Sequence, residues 1–420
     1  MATAEVARAV ARYAKRFHAA AGEGHGVASP LGAWLLLALC GAAAGRRSGS
    51  AGRELAEALG MDPASAAAAA TAMLADEHPV VLSATAVWGL PEDGTQSLRA
   101  WLAALPSSTE TGPIPAQPDL DRWADDHTLG LINTFPVQVP AEAVLLMATA
   151  LASRVSWRDP FDIVPAEELR AGSAWAGRLT RVLSSPVRGH HGFIVTTEEA
   201  GDVIVHVAEA KVEPGEPGLS VLSVAAAPEI PPATVLAAAH TLAVELHEAG
   251  PFGQWPPQTG HLPGRRSLYD LPLGEAPLWT ITEEPALTYG REERYRSVLP
   301  CWSAESEHDL SREVFGFPAA LRVLEPVIGA SGLDLKAKQS AVARYSRYGF
   351  EAAAVTVLMA VTGLPPEGVV RSAELRFGHP YAVVAVATDE RPAEQAPWHG
   401  VPVFSAWVSD PDDVPAEEAG

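Results

Sequence analysis

The chain of 420 residues carries 51 Asp and Glu against 30 Lys and Arg, a formal net charge of −21. With no basic cluster to offset that charge, it is a poor partner for nucleic acid. Hydrophobic residues make up 48% and charged residues 19%, which supports a large core and excludes a disordered chain.

Val6, Val10, Tyr13 and Phe17 recur at helical spacing and predict an amphipathic first helix over 3–20. Ser29 then Pro30 opens a second, a capping residue followed by proline at the first helical position. Its apolar run, Leu31 to Ala44, is shorter than the roughly 20 residues of a membrane span. The long segment before that run does not fit the short charged leader of a signal peptide, so we expect a cytoplasmic protein off the membrane. Further helices are expected over Gly52 to Leu59 and Ala64 to Leu74, then a strand from Val80 to Gly89 and a helix from Asp119 to Leu131. Ala143 to Trp157 is mostly apolar and reads as a central strand buried on both faces.

Gly192 to Thr197, Asp202 to Ala208 and Leu219 to Ala226 read as strands, with His190-His191 as a solvated turn before the first. A helix over Pro232 to Ala249 precedes a Pro/Gly-rich span, Gly250 to Gly274, expected to be a long surface loop. One domain covers 1–411, and the acidic residues 412–420 read as a disordered tail. Cys40 and Cys301 stand far apart and read as core thiols. The sequence has no GxSxG elbow, phosphate-binding GxxxxGK[ST] loop or HExxH helix, so we expect neither an enzyme nor a bound metal or cofactor.

The unusual segment runs from Lys338 to Pro380. It begins as a strand, Ala341 to Tyr345, and turns through Gly349. The run Glu351 to Thr362 fits either a helix, through its Ala, Leu and Met, or a strand, through its Val and Thr. As a strand it would turn Phe350, Ala352, Ala354, Thr356, Leu358 and Ala360 one way, and apart from Phe350 these are small or aliphatic. A loop so built can become a buried strand without stranding a polar side chain.

At this segment the sequence resembles the serpin family, in register over most of the chain. Gly349-Phe350-Glu351-Ala352-Ala353-Ala354 is similar to the family's reactive-loop hinge, a glycine, Thr or Ser, Glu and then alanines. Ser29-Pro30 is similar to the Ser-Pro that opens the helix beneath the sheet opening, and Trp123, Thr128 and Gly130 follow the pattern of the helix lying across the main sheet. Thr149 to Phe161 resembles the family's long central strand, Val298 to Leu310 its Leu-Pro-Lys-Phe segment, and His379-Pro380-Tyr381 and Trp407 to Pro411 its Arg-Pro-Phe and closing Val-Asn-Pro strands. The resemblance implies an α+β fold of three β-sheets and eight or nine helices with an exposed reactive-centre loop. It further implies a monomeric, metastable inhibitor of a serine or cysteine protease, cleaved as a substrate and trapping the acyl-enzyme when its loop inserts as a new strand. A non-inhibitory binding or accessory protein is the alternative, and the family adds an extracellular location to the cytoplasmic one.

Three departures bear on that reading. The first inserted residue is Phe350 instead of Thr or Ser, with an overpacking cost of about 1–3 kcal/mol in a tight sheet. Arg347 stands where the family has Glu. Thr149 and Gln339 replace an Asn and a His that hydrogen-bond beneath the sheet opening, and with Ser29 they mark that region here; they are expected to bond each other. In the family the scissile bond lies about fifteen residues after the hinge glycine, roughly 50 Å of strand at about 3.3 Å per residue, so the resemblance implies Gly363-Leu364, counting from Gly349. Thr362-Gly363 is the near alternative and Arg371-Ser372 a rival for a trypsin-like enzyme.

Overall fold

Local sequence signals set the first helices. The computed structural model describes residues 3–44, 49–89, 95–140, 142–170, 172–186, 189–213, 215–248, 262–287, 291–329, 331–350 and 367–418. Helix α1 (Thr3–Ala21) buries Val6, Val10, Tyr13 and Phe17 along one stripe. In α2 (Pro30–Gly41) the Ser29 hydroxyl accepts from the Gly32 N–H, and the helix is buried on nearly all sides, with Leu31, Trp34, Leu35 and Leu37 fully enclosed. Then come β1 (Gly26–Ala28, ahead of α2), α3 (Gly49–Leu59), α4 (Pro63–Ala75), β2 (Leu82–Trp88), α5 (Gln96–Ala103), β3 (Glu110–Gly112) and α6 (Gln117–His127). The short α5, capped by Thr95 and burying Leu98 and Trp101, is not expected from the sequence. Helix α6 ends four residues earlier than expected, because Leu129 and Gly130 both take left-handed backbone angles.

The middle of the chain supplies β4 (Leu146–Ala152), β5 (Val155–Ser156), β6 (Asp162–Pro165), β7 (Arg181–Ser184), β8 (His190–Thr197), β9 (Gly201–Glu209), β10 (Gly218–Ala225) and α7 (Pro232–Glu248). After it come β11 (Arg265–Arg266), β12 (Gly274–Glu275), β13 (Trp279–Leu287), β14 (Arg291–Leu299), β15 (Trp302–Asp309) and α8 (Phe317–Ile328). The last strands are β16 (Lys338–Tyr345), β17 (Gly349–Phe350), β18 (Glu367–Arg376), β19 (Tyr381–Thr388) and β20 (Pro402–Val408). Among the described residues no helix is long and apolar enough to cross a membrane.

Among the described residues these strands form five hydrogen-bonded sheets. A seven-stranded sheet runs β1-β20-β19-β10-β9-β8-β11, and a six-stranded sheet runs β12-β13-β18-β14-β7-β6. The others are the three-stranded β3-β2-β4 and the pairs β15-β16 and β17-β5. Strands β9, β10 and β19 are buried on both faces, with α7 covering one of them and the main core lying on the other. Helix α6 lies on β2 and β4, packing Leu120 and Trp123 with Ala148 and Ala150.

Several expectations need correcting. Ala143 to Trp157 is two short strands, and β4 alternates because its side chains point to opposite faces: Ala148 and Ala150 are buried under α6, while Met147, Thr149 and Leu151, on the other face, are half-buried. His190 is buried within β8, its ring 3.1 Å from His206, and so belongs to no solvated turn. The described part of Gly250 to Gly274 holds β11 and a 3₁₀ turn at Leu268–Asp270, paired to β8 and packed below the six-stranded sheet. The acidic tail packs as well: Asp412 forms a bridge with Cys301, Asp413 accepts from the Thr180 and Arg181 N–H groups, Val414 is buried and Ala416–Glu418 closes in a 3₁₀ turn. Both cysteines are buried free thiols.

Candidate functional site

Strand β4 pairs only with β2, and β16 only with β15, so among the described residues their facing edges have no strand between them. Between them lies a cavity of about 380 Å³. Leu145 to Ser153 form one wall and Leu335 to Val342 the other, while Leu36 of α2 and Leu324 of α8 form its floor. Strand edges left without partners expose N–H and C=O groups that cost free energy when kept from water. The cavity therefore has the length and chemistry of a vacant strand position.

Gly349 and Phe350 close its upper end. They pair antiparallel with Ser156 and Val155, and Phe350 is buried with its ring 6.4 Å from that of Phe404. The ring packs into the main core beside Phe404 of β20. Glu351, Ala352, Ala353 and Ala354, together with Thr362, Gly363 and Leu364, lie outside the described residues. Arg371 and Ser372 do not form an accessible bond. They lie inside β18, paired with β13 on one side and β14 on the other, which no protease cleft can engage without extracting the strand.

The turn before Gly349 is fixed by side chains that sequence proximity does not disclose. Trp157 donates its indole N–H to the Ser346 carbonyl at 3.0 Å and its backbone N–H to the Tyr348 carbonyl at 2.9 Å, and the Phe161 N–H reaches the Arg347 carbonyl at 3.0 Å. Arg347 donates to the Phe161 and Glu418 carbonyls at 3.2 and 2.5 Å, and its backbone N–H meets the Glu418 carboxylate at 3.2 Å. Arg344 lies 3.6 Å from the same carboxylate. The C-terminal turn thus supplies the acceptors that an arginine at 347 requires. Below, Tyr345 stacks on Trp302 and packs against Trp157 and Phe161, and Phe161 meets the rings of His190 and His206. Burial holds the His190 imidazole down to about 4 despite its bond to the Asp159 carbonyl, and burial with two histidines nearby keeps His206 well below its ordinary range.

Midway along both walls, Ser29, Thr149 and Gln339 come together, though not in the arrangement expected. Gln339 bonds the Ser29 backbone instead of Thr149: its amide accepts from the Ser29 N–H at 3.0 Å and donates to the Ser29 carbonyl at 2.8 Å. Thr149 donates to the Gly32 carbonyl at 3.1 Å, and Ser29 donates to the Val403 carbonyl at 2.9 Å. The helix–sheet approach is close enough that a Cβ on Gly32 would stand 3.0 Å from the Leu151 side chain. Each wall of the cleft is therefore tied separately to the start of α2.

No family model matches the chain, and no curated protein matches it. Solved structures do. The native state of the thermophilic serpin tengpin matches at a TM-score of 0.58 with 13% identity, covering 97% of this chain and 94% of that one. Arabidopsis AtSerpin1 in its native stressed conformation matches at 0.59 with 15% identity, covering 98% and 99%. Human thyroxine-binding globulin complexed with thyroxine matches at 0.58 with 12% identity, covering 97% and 98%. What the chain shares with these proteins over nearly its whole length is the serpin fold.

Proposed function

We propose that this chain of serpin fold is a suicide-substrate inhibitor of a serine or cysteine endopeptidase, with residues 351–366 as the segment cut. The observation that carries the reading is the vacant strand position between β4 and β16, entered at its upper end by Gly349 and Phe350. After cleavage the freed segment follows Phe350 into the cleft and supplies both walls with the ladder they lack. Burial of its aliphatic face adds about 25 cal/mol per Å². A bonded ladder plus that burial is comparable with the roughly 5–15 kcal/mol stability of a folded domain, enough to distort a protease dragged with it. We place the scissile bond at Gly363-Leu364, with Thr362-Gly363 next to it, which favours enzymes accepting small or aliphatic residues.

A panel of serine and cysteine proteases incubated with the protein tests this on a denaturing gel. A covalent band the size of the sum of the two proteins supports inhibition, and mass spectrometry of the released C-terminal peptide locates the bond. Cleavage throughout the panel without any such band rejects inhibition. A second reading, a non-inhibitory binding or accessory protein, draws support from the arginine staple on the hinge and from the likeness to thyroxine-binding globulin.

A further inference from the structure

Between β16 and β17 the chain reverses in a tight turn with Arg347 and Tyr348 at its tip. The Ser346 N–H donates to the Gly349 carbonyl at 3.0 Å, and the Ser346 hydroxyl donates to the same oxygen at 3.2 Å. Tight reversals between extended segments favour Gly, Asn or Asp at the tip, where left-handed backbone angles match the twist of the strands. Arg347 and Tyr348 offer no such angles, since Leu129 and Arg170 are the non-glycine residues with positive φ among those described. The tip residues do not select this turn, and bonds from distant segments hold it.

Two segments supply those bonds. Trp157 and Phe161 take up the carbonyls of Ser346, Tyr348 and Arg347. The C-terminal turn Ala416–Glu418 takes up Arg347 itself. The Glu418 carboxylate accepts from the Arg347 N–H at 3.2 Å and its carbonyl accepts from the guanidinium at 2.5 Å, with only 12% of the Glu418 side chain exposed. The tail that carries Glu418 is anchored in turn. The Asp412 N–H donates to the Cys301 carbonyl at 2.9 Å, the Asp413 carboxylate accepts from the Arg181 N–H at 2.8 Å, and Val414 is buried.

The held turn has a direction. From Thr149 and Gln339 to Trp157 and Tyr345 both walls of the cleft run toward the hinge, and β17 lies antiparallel to β5. A chain leaving Phe350 is therefore aimed back down the cleft. We infer that Glu418 is a positioning residue for strand insertion: through Arg347 it keeps this turn closed in the uncut protein, so that residue 351 meets the cleft already reversed. The inference rests on the insertion reading above. After the peptide bond is cut, the acyl-enzyme is either carried off by strand entry or hydrolysed, and the proportion trapped follows the ratio of the two rates. A turn closed in advance spares entry the entropy of fixing its backbone and so raises that ratio.

The test uses a serine protease that wild type traps and compares covalent complex with cleaved protein, on a denaturing gel, for wild type, Glu418→Ala and Glu418→Gln. Glu418→Ala should lower the ratio of complex to cleaved protein about fivefold, and Glu418→Gln, which keeps an acceptor without the charge, about twofold. Urea midpoints of the uncut variants should stay at the wild-type value, because the Arg344 partner of Glu418 is half exposed. If nicking within 351–366 raises the melting temperature of wild type while both variants trap in the wild-type proportion or better, the positioning role is wrong and the insertion reading stands. A fall in trapping that tracks an equal fall in the urea midpoint across both variants makes Glu418 a general fold contact and overturns the role as well. If wild type traps no protease, or nicking adds no stability to it, the insertion reading fails and takes this role with it.

Discussion

Gln339 grips the backbone of Ser29 with both ends of its side-chain amide, at 3.0 and 2.8 Å, and so joins strand β16 to the first turn of α2. Replacing it by leucine leaves the Ser29 N–H without its partner at a half-buried junction. We expect Gln339→Leu to lower the denaturant midpoint by an amount equivalent to about 1–3 kcal/mol, and Thr149→Val to cost about 0.5–1.5 kcal/mol through the lost Gly32 bond. Equilibrium unfolding in urea measures both. Equal, negligible losses would mean that neither tie holds a wall of the cleft.

The docked state of Phe350 reverses the effect its size suggests. With the ring already buried against Phe404, Phe350→Ala should cost about 3 kcal/mol of native stability, as large-to-small core changes do. For the same reason Phe350→Thr should not raise the proportion of trapped complex over cleaved inhibitor, because no entry step is being eased. Densitometry of complex and cleaved bands after reaction with one protease gives the ratio. A rise would show that the aromatic ring obstructs insertion after all.

The tail staple should matter more for local opening than for global stability. Arg344 is half exposed, so its ion pair with Glu418 contributes below about 1 kcal/mol, and deleting residues 415–420 should shift the overall midpoint little. Amide exchange of Phe161 and Arg347, whose partners are Arg347 and Glu418, should speed up markedly. Hydrogen–deuterium exchange followed by mass spectrometry reads this directly, and unchanged protection at both amides would remove the tail from control of the hinge.

Seven histidines are buried among the described residues, and five of them make the fold most sensitive to acid. Burial, the largest cause in each, depresses His18 and His247 to about 3 and His190 to about 4, and holds His206 and His240 well below their ordinary value. The unfolded chain protonates near the usual value of about 6.5, so below that pH it binds protons the folded chain refuses. Stability is therefore fully present above about pH 6.5 and declines as pH falls toward about 3, by up to about 1.4 kcal/mol per pH unit per histidine. Denaturant midpoints measured from pH 8 to 4 should hold level to about pH 7 and then drop. A flat profile between pH 7 and 5 would contradict the buried, neutral state of these rings.

The parts of this architecture that were legible in the sequence are those decided locally. The α1 stripe, the Ser29-Pro30 start of α2, the buried strands β8 to β10 and helix α7 each carry their own periodicity or cap. The resemblance carried by Gly349 to Ala354 led to the right fold. Other features depend on partners distant in the chain. Strand β13 contains Pro285, which argues against a strand, yet β12 covers only its Thr280 and Ile281, so the proline falls where the outer edge is unpaired. Arg347 looked anomalous only because its acceptor is Glu418, and His190 looked solvated because His206 lies on the neighbouring strand.

The strand order of the largest sheet bears on how the molecule is made. Strand β20, nearly the last segment of the chain, sits between β1 near the start and β19, and β19 in turn joins β20 to β10. During synthesis β1 must wait until β20 emerges before its partner exists, while the face of β9 and β10 turned away from α7 stands uncovered. Completion of the core is therefore post-translational, and any stop codon ahead of Pro402 yields an unassembled, aggregation-prone chain instead of a smaller working protein.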